Sequence, residues 1–310
     1  MQKISIIIDC DPGVDDTTAL IYALREPRFN VLAIHTVAGN VNVDQTTENV
    51  CRLLDYFGEN VPVCRGANEP LVKPPVYADD IHGQNGLGGM TLPEATRIAP
   101  SNRTALESYV HLLQHATEPI HIVAVGPLTN VAILLKGYPE LKAKIACIHI
   151  MGGGIKGGNI TACGEFNFYV DPHAAHIVLE SGVPIVMAGL DVTERATLWE
   201  SDYETLRQTH PTIGQFLLDL TQQSFERYEK IDYGRVCTPN DLVPFVHLFH
   251  PEIFQTKKAR VHIATNSGET QGLTYIDQRL LTPVAANCEV ILDVDQLKFR
   301  QVCMEGFRRW

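Results

Sequence analysis

Short apolar runs and stretches with helical spacing alternate along the chain. The apolar runs at residues 4–8, 31–37 and 61–64 have the length and composition of buried strands. A helical pattern at residues 43–57 lies between the second and third runs. Alternation of strands and helices with short connections predicts an α/β fold, with a doubly wound, mostly parallel (Rossmann-like) sheet and helices on both faces.

The same alternation continues over the rest of the chain. Further strands are predicted at 120–125, 145–151, 185–188, 261–264, 272–275 and 290–293, and further helices at 104–114, 172–179 and over most of 200–236. Residues 66–100 interrupt the pattern with a long loop rich in proline and glycine, and such loops are often functional lids. We therefore expect a single domain over residues 1–310, with inserted loops above the carboxyl ends of the strands.

Four carboxylates lie within eight residues, where the first apolar run gives way to helical spacing: Asp9, Asp11, Asp15 and Asp16. Carboxylates so close together repel one another unless some of them bind protons or a cation lies between them. Apart from Cys10 the segment offers only oxygen ligands, which indicates a hard cation such as Ca²⁺ or Mg²⁺. A favourable position at a helix N-terminus would account for Asp15 and Asp16 but not for the other two.

Other polar residues lie at positions where a parallel sheet binds its ligands. Asn40 follows the second strand as Asp11 follows the first, and ligands of such sheets bind at the carboxyl ends of the strands. His82, in the long loop, is either a substrate contact or an exposed histidine. Asp241 precedes an apolar helix and is either its N-cap or a late metal ligand.

Asparagine and glutamate side chains are concentrated in the loop that follows the strand at 145–151. Asn159, Glu165 and Asn167 could hydrogen-bond several hydroxyl groups at once, as a sugar site requires. Ordinary loop polarity is the alternative explanation for these residues.

Charge and cysteine content narrow the choice of partners. The net charge is -11, from 25 basic and 36 acidic residues without a basic block, so nucleic acid and anionic membranes are poor partners. No apolar run is long enough to span a bilayer, and no secretory signal pattern opens the chain. The eight cysteines are scattered through apolar segments and none forms a C-x-x-C motif, which favours reduced, mostly buried thiols and a cytoplasmic location.

The acid cluster, written D-x-D-P-G-x-D-D, resembles the N-terminal signature of nucleoside hydrolases of the inosine–uridine-preferring superfamily. The resemblance continues in order to about residue 245, through T-V-A-G-N at 36–40, V-G-P-L-T-N at 125–130, M-G-G-G at 151–154, E-F-N at 165–167, D-P at 171–172 and Asp241. Within that family the chain most resembles the bacterial broad-range ribonucleoside hydrolases.

This resemblance implies Ca²⁺-dependent hydrolysis of the N-glycosidic bond of ribonucleosides to free nucleobase and ribose, as in nucleoside salvage. It implies that Asp11 activates a metal-bound water as general base, and that the enzyme is a homodimer or homotetramer. The implied Ca²⁺ ligands are Asp11, Asp16, Asp241 and the backbone carbonyl of Val125.

The resemblance also implies substrate contacts. Asp15 and Asn40 would bind the ribose diol, Asn167 the 3′ side, and Asn159 with Glu165 the 5′-hydroxyl. His82 would lie near the nucleobase, Asp9 would support the loop, and Met151 and Asn240 would also face the substrate.

Asn240 departs from the family pattern, because many members carry a histidine before the late aspartate as the proposed acid for the leaving purine. Asparagine cannot donate a proton near neutral pH. His82 is one candidate for the missing acid, and Tyr228 and Tyr233 are weaker ones. We therefore expect purine hydrolysis to depend on one of these residues, or to be poor relative to pyrimidine hydrolysis.

Two other functions compete with this interpretation. A strand followed by D-x-D also begins Mg²⁺-dependent phosphatase-like hydrolases, in which Asp9 would be the nucleophile. Asp15 and Asp16 oppose that function, since they add negative charge where a phosphate would bind. The departure at Asn240 also allows a catalytically silent nucleoside- or ribose-binding protein.

Overall fold

A central sheet organises the chain in the computed structural model, which describes residues 3–279 and 284–310. Twelve strands occur in this described part: β1 (Ile4–Cys10), β2 (Phe29–Thr36), β3 (Val63–Arg65), β4 (Ile120–Ala124), β5 (Ile145–Met151), β6 (Ile185–Ala188), β7 (Leu198–Trp199), β8 (Val236–Cys237), β9 (Phe254–Ala259), β10 (Val261–Ile263), β11 (Thr274–Ile276) and β12 (Cys288–Val294).

Eight of these strands form the central sheet in the order β3-β2-β1-β4-β5-β6-β12-β9. Neighbouring strands are parallel from β3 to β12, and only the edge strand β9 is antiparallel to its neighbour β12. The predicted doubly wound, mostly parallel sheet is therefore confirmed.

Helices cover both faces of this sheet. In chain order they are α1 (Val14–Arg25), α2 (Val43–Phe57), α3 (Asp79–His82), α4 (Ala105–His115), α5 (Thr129–Gly137), α6 (Phe166–Val170), α7 (Pro172–Leu179), α8 (Leu190–Thr193), α9 (Glu200–Thr209), α10 (Pro211–Glu229), α11 (Leu242–Phe249) and α12 (Gln296–Phe307). Ile6 and Ile8 pack into one apolar cluster and Ile7 into the other, because successive side chains of a strand point to opposite faces. Because both faces of the sheet are buried, the sequence of β1 is almost continuously apolar.

The strand order reverses between β1 and β4, and this reversal positions the site. The chain runs outward from β1 through β2 to β3 and then returns to place β4 on the other side of β1. The loops after β1 and β4 therefore lead away in opposite directions and leave a crevice, which is where open α/β sheets bind ligands. Asp11 follows β1 and Val125 follows β4, so both residues lie at this crevice.

The structure contains several short elements that were not predicted, namely α3, α6, α8, β7 and β8, and it differs from the prediction in three longer segments. The helical stretch at 200–236 is two helices, because Pro211 begins α10 at a position where its missing N–H costs nothing. The strand-like runs at 261–264 and 272–275 form the separate hairpin β10–β11 instead of joining the central sheet. The edge strand β9 was not predicted at all. None of the helices in the described residues has the length and apolarity needed to cross a bilayer.

Candidate active site

The turn between β1 and α1 is held by the carboxylate of Asp16. Its two oxygens accept hydrogen bonds from the backbone N–H groups of Asp11 (3.1 Å) and Gly13 (2.9 Å). An acid in the first turn of α1 thus ties the end of β1 to the start of the helix. Negative charge is also favourable at this helix N-terminus. The D-x-D-P-G-x-D-D spacing thus places Asp16, in the first turn of α1, within hydrogen-bonding distance of the backbone at Asp11 and Gly13.

Asp241 joins this turn from the far end of the chain. It immediately precedes α11, but its side chain makes no capping hydrogen bond to that helix. Instead, carboxylate oxygens of Asp15, Asp16 and Asp241 lie within 4.8 Å of one another. Asp241 therefore lies in the acid cluster and does not cap α11 through its side chain, and its role as a metal ligand stays a prediction.

Burial makes this group of acids electrostatically costly. Asp11, Asp16 and Asp241 are each at most 3% exposed. Loss of hydration, followed by repulsion from the neighbouring carboxylates, raises the pKa of Asp11 and Asp241 well above the usual range and that of Asp16 to about 7. A divalent cation would remove this repulsion.

Two observations show that the side chains fit a hard cation. Within the part of the chain that the structure describes, Oδ1 of Asp11 and Oδ1 of Asp15 are buried without a hydrogen-bond partner. The donor set consists of carboxylate oxygens, which are the ligands that Ca²⁺ and Mg²⁺ prefer.

Asp11 is fixed in a slot lined by two glycines. Its Oδ2 accepts a 2.7 Å hydrogen bond from the backbone N–H of Asn40, whose side-chain amide donates to the Asp11 carbonyl and to Asp16, at 3.0 Å each. A Cβ atom added at Gly39 would lie 2.0 Å from Oδ2 of Asp11, and one at Gly126 would lie 2.5 Å from Oδ1. These glycines therefore let backbone approach the carboxylate closely.

Asp9 does not line the cavity and instead contacts residues of α4 and α5. It is 1% exposed and accepts hydrogen bonds from the hydroxyl of Tyr109 (2.9 Å) and the side-chain amide of Asn130 (3.1 and 3.2 Å). Burial raises its pKa to about 7, although both hydrogen bonds act to lower it. A buried acid of this kind supports the ends of β1 and cannot serve as the nucleophile that a phosphatase-like reaction needs.

A cavity of about 410 Å³ opens beside the acid cluster. Its lining includes every predicted metal and substrate residue except Asp16, which lies buried beneath it: Asp11, Asp15, Asn40, His82, Val125, Met151, Asn159, Glu165, Asn167, Asn240 and Asp241. The structure thus brings together residues from six separate segments of the chain.

The wall formed by the loop after β5 is rigidly hydrogen-bonded. The side-chain amide of Asn167 donates to the carbonyls of Val125 (2.7 Å) and Met151 (3.2 Å). Glu165 is 2% exposed and accepts from the backbone N–H groups of Gly153 (2.8 Å), Asn167 (3.0 Å) and Phe168 (3.1 Å), so it caps α6. Sequence analysis did not assign this structural role, because glutamate is not among the preferred N-cap residues and the short helix α6 was not predicted.

His82 enters the cavity from α3 with a defined tautomer. Its Nδ1 accepts a 3.2 Å hydrogen bond from the backbone N–H of Val14 and lies 3.9 Å from a carboxylate oxygen of Asp15. Burial, only partly offset by Asp15, lowers the pKa of His82. The ring is therefore neutral at pH 7 and carries its proton on Nε2, because Nδ1 is the acceptor.

Asn240 also contacts Asp15, through a 3.1 Å hydrogen bond from its side-chain Nδ2 to Oδ2. Of the two tyrosines considered as acids, Tyr228 lines the cavity and hydrogen-bonds the hydroxyl of Thr238 at 2.9 Å. Tyr233 is 56% exposed and does not line the cavity.

Helix α10 supplies a part of the cavity wall that sequence analysis largely missed. Thr221, Ser224, Arg227 and Tyr228 face the cavity. Positions 221, 224 and 228 follow helical spacing, so a polar stripe on an otherwise apolar helix was the available signal.

Comparison with known proteins gives one consistent result. Residues 6–301 match the family described as inosine-uridine preferring nucleoside hydrolase. The pyrimidine-specific ribonucleoside hydrolase RihA of Salmonella paratyphi B is 42% identical over 306 residues, which cover 98% of each chain. RihA of Escherichia coli O7:K1 is 41% identical over 309 residues, 99% of each chain.

Solved structures of nucleoside hydrolases superpose on this chain over nearly its whole length. A purine-preferring ribonucleoside hydrolase from Gardnerella vaginalis superposes with a TM-score of 0.90 at 30% identity, over 98% of each chain. The plant nucleoside hydrolase PpNRh1 gives a TM-score of 0.91 at 28% identity, over 98% of this chain and 99% of that one.

Proposed function

The chain belongs to the inosine-uridine preferring nucleoside hydrolase family and is a ribonucleoside hydrolase, and from this premise we propose how its residues carry out the reaction. Asp11, Asp16, Asp241 and the carbonyl of Val125 would hold Ca²⁺. Two observations carry this proposal: carboxylate oxygens of Asp15, Asp16 and Asp241 lie within 4.8 Å of one another, and Oδ1 of the buried Asp11 has no hydrogen-bond partner in the described part of the chain. When bound, the ion supplies a Lewis acid that lowers the pKa of a coordinated water and grips vicinal hydroxyls.

The side chains around the cluster bind the sugar and accept the proton of the attacking water. Asp15 and Asn40 bind the ribose diol, Asn167 the 3′ side, and Asn159 with Glu165 the 5′-hydroxyl. Held in this way, the sugar presents its anomeric carbon to water in a nearly fixed geometry. Asp11 accepts the proton of the attacking water, and the surrounding carboxylates stabilise the positive charge that develops on the sugar ring.

We infer that pyrimidine nucleosides are the preferred substrates. The relatives at 41% and 42% identity are named pyrimidine-specific, whereas a purine-preferring enzyme of known structure is 30% identical. Asn240 supports the same preference, since an amide cannot protonate a leaving purine. Met151 and His82 complete the walls around the base.

Calcium titration tests the metal site and the reaction together. The wild-type enzyme should release reducing sugar from uridine, lose activity in a chelator, and recover it better with Ca²⁺ than with Mg²⁺. Asp241→Asn should weaken Ca²⁺ binding in calorimetry at least tenfold, since it removes one charged ligand.

The matched control is Asp219→Asn, at an exposed position on α10, and this variant should bind Ca²⁺ as tightly as the wild type. Full activity in chelator would reject the metal, and nucleoside binding without sugar release would indicate a silent binding protein.

We also propose a cytoplasmic location, a single domain and a homo-oligomeric assembly for this enzyme. All eight cysteines are free thiols, which supports a reducing, cytoplasmic environment. We propose one nucleoside hydrolase domain per chain and assembly into a homodimer or homotetramer. Light scattering on the purified enzyme tests the assembly, and a monomeric mass at working concentration would reject it.

A further inference from the structure

We propose that Arg227 selects the nucleobase, by donating hydrogen bonds to a carbonyl oxygen on the edge of the base that is remote from the glycosidic bond. The inference rests on the proposed function, because it requires a ribonucleoside whose sugar lies at the acid cluster. It adds to that function a preference among pyrimidines, for uridine over cytidine.

Arg227 is anchored by only one of its nitrogen atoms. One terminal guanidinium nitrogen donates to the backbone carbonyls of Asp80 (3.2 Å) and Ile81 (3.3 Å), which ties α10 to α3. The same side chain lines the cavity. A guanidinium carries five N–H groups, so three remain for a ligand after these two contacts.

Arg227 also lacks an ion-pair partner in the described part of the chain. No carboxylate forms an ion pair with it within residues 3–279 and 284–310. The half-buried guanidinium therefore keeps N–H groups that can donate to an electron-rich ligand atom in the cavity.

Two contacts place Arg227 on the outer side of the base. His82, at the C-terminal end of α3, reaches Asp15 and the N-terminus of α1, and so lies on the side of the sugar. Arg227 contacts the preceding residues of α3 at the cavity mouth, where Ile81 is 42% exposed. A base joined to a ribose at the acid cluster would therefore meet His82 near the glycosidic bond and Arg227 at its far edge.

The hydrogen-bonding groups then discriminate between bases. Uracil presents a carbonyl oxygen at its far edge, which accepts from Arg227, whereas cytosine presents an amino group there, which can only donate. Facing an amino group, the guanidinium would be desolvated without a partner, and an unpaired charged donor is costly. Uridine is therefore the better substrate in the wild-type enzyme.

The test compares kcat/KM for uridine and cytidine in four proteins: wild type, Arg227→Met, Arg227→Lys and Lys230→Met. Arg227→Met keeps an unbranched apolar stem close in length to the aliphatic part of arginine and removes all the donors. Arg227→Lys keeps the charge. Lys230→Met is the matched control, since Lys230 is an exposed basic residue at the end of the same helix and does not line the cavity.

We expect the wild type to favour uridine at least tenfold, because the hydrogen bond from the charged guanidinium is available only to uridine. Arg227→Met should bring the uridine-to-cytidine ratio close to one, Arg227→Lys should give an intermediate ratio, and Lys230→Met should leave it unchanged. A variant that loses both activities in equal proportion would show that Arg227 only ties α3 to α10, and would overturn the inference. A wild type that hydrolyses neither nucleoside would instead reject the proposed function.

Discussion

The side-chain amide of Asn240 donates a 3.1 Å hydrogen bond to the carboxylate of Asp15. A carboxylate can only accept, so Nδ2 faces Asp15 and Oδ1 remains available on the cavity side. The residue that precedes the late aspartate thus positions an acid of the cluster and contributes no proton. This contact gives a physical reason for the low purine activity that we expect.

Replacement of Asn240 by histidine should create a purine hydrolase. In Asn240→His an imidazole beside the cavity could protonate the leaving purine, and a positioned general acid typically accelerates a reaction about 100-fold or more. We expect the inosine-to-uridine ratio of kcat/KM to rise at least tenfold, measured by reducing-sugar release. Asn240→Ala, which also lacks the contact to Asp15, should show no such gain; an equal gain in that variant would exclude acid catalysis as the cause.

His82 should assist the departure of the base as a neutral hydrogen-bond donor. Since Nδ1 accepts from Val14, the ring offers its Nε2–H to the base. His82→Ala should slow uridine hydrolysis about tenfold, as expected for the loss of one hydrogen bond of about 1.5 kcal/mol, and His82→Gln should retain part of the rate. Steady-state kinetics with uridine and inosine check this, and unchanged rates for both substrates would remove His82 from the mechanism.

A methyl group at Gly126 should disrupt the acid cluster. The added Cβ would lie 2.5 Å from the Asp11 carboxylate and 3.0 Å from a methyl group of Val37. We expect Gly126→Ala to lose about 1–3 kcal/mol in free energy of unfolding and to bind Ca²⁺ at least tenfold more weakly. Gly137→Ala on α5 is the control, because nothing lies within 4 Å of its added Cβ, and it should be neutral or slightly stabilising. Similar behaviour of the two variants in denaturation and calorimetry would contradict the close fit.

Glu26 should make the stability of the protein sensitive to acid. Its buried carboxylate accepts hydrogen bonds from Arg28 (2.7 and 2.9 Å) and from Arg309 near the C-terminus. Burial alone would raise its pKa, but these contacts more than offset that effect and lower the pKa to about 2. Because the folded pKa lies below the unfolded value of 4.5, the stabilisation is complete above pH 4.5 and is lost as the pH falls towards 2.

The measurement for this carboxylate is the free energy of unfolding of wild type and Glu26→Gln between pH 3 and pH 7. The wild type should be more stable by up to about 3 kcal/mol at pH 7, and the difference should shrink steadily in acid. Glu305→Gln, an exposed substitution on α12, should show a small difference at every pH. A difference that does not depend on pH would contradict the ionic role of Glu26.

Elements with a clear apolar pattern could be predicted from the sequence, whereas the edge strand β9 could not. The bounds of α2, β5 and β6 agree with the predicted residues, since their apolar patterns are dictated by burial. In β9, the side chains from Gln255 to Lys258 are exposed, so the strand has no apolar alternation to detect. Its pairing with β12 is a contact between distant residues that local sequence does not encode.

The candidate site was predictable where chemistry is concentrated in one segment. Four aspartates within eight residues would repel one another, and this made the acid cluster recognisable in the sequence. In the structure, the residues that the motifs indicate lie around one cavity. Arg227 carries no such local signal, because a single arginine on an amphipathic helix is ordinary until α3 lies against it. Glu165 was placed at the sugar, but its bonds to three backbone N–H groups became visible only in the folded loop.

The separation of Asp241 from Asp11 along the polypeptide also bears on how the enzyme matures. A nascent chain on the ribosome carries the first acids of the site long before the last one is made. Until α11 docks, the ion would find an incomplete set of ligands. Binding of the proposed metal ion would therefore be a late event in biosynthesis, and would stabilise only those molecules in which α11 had already packed against the site.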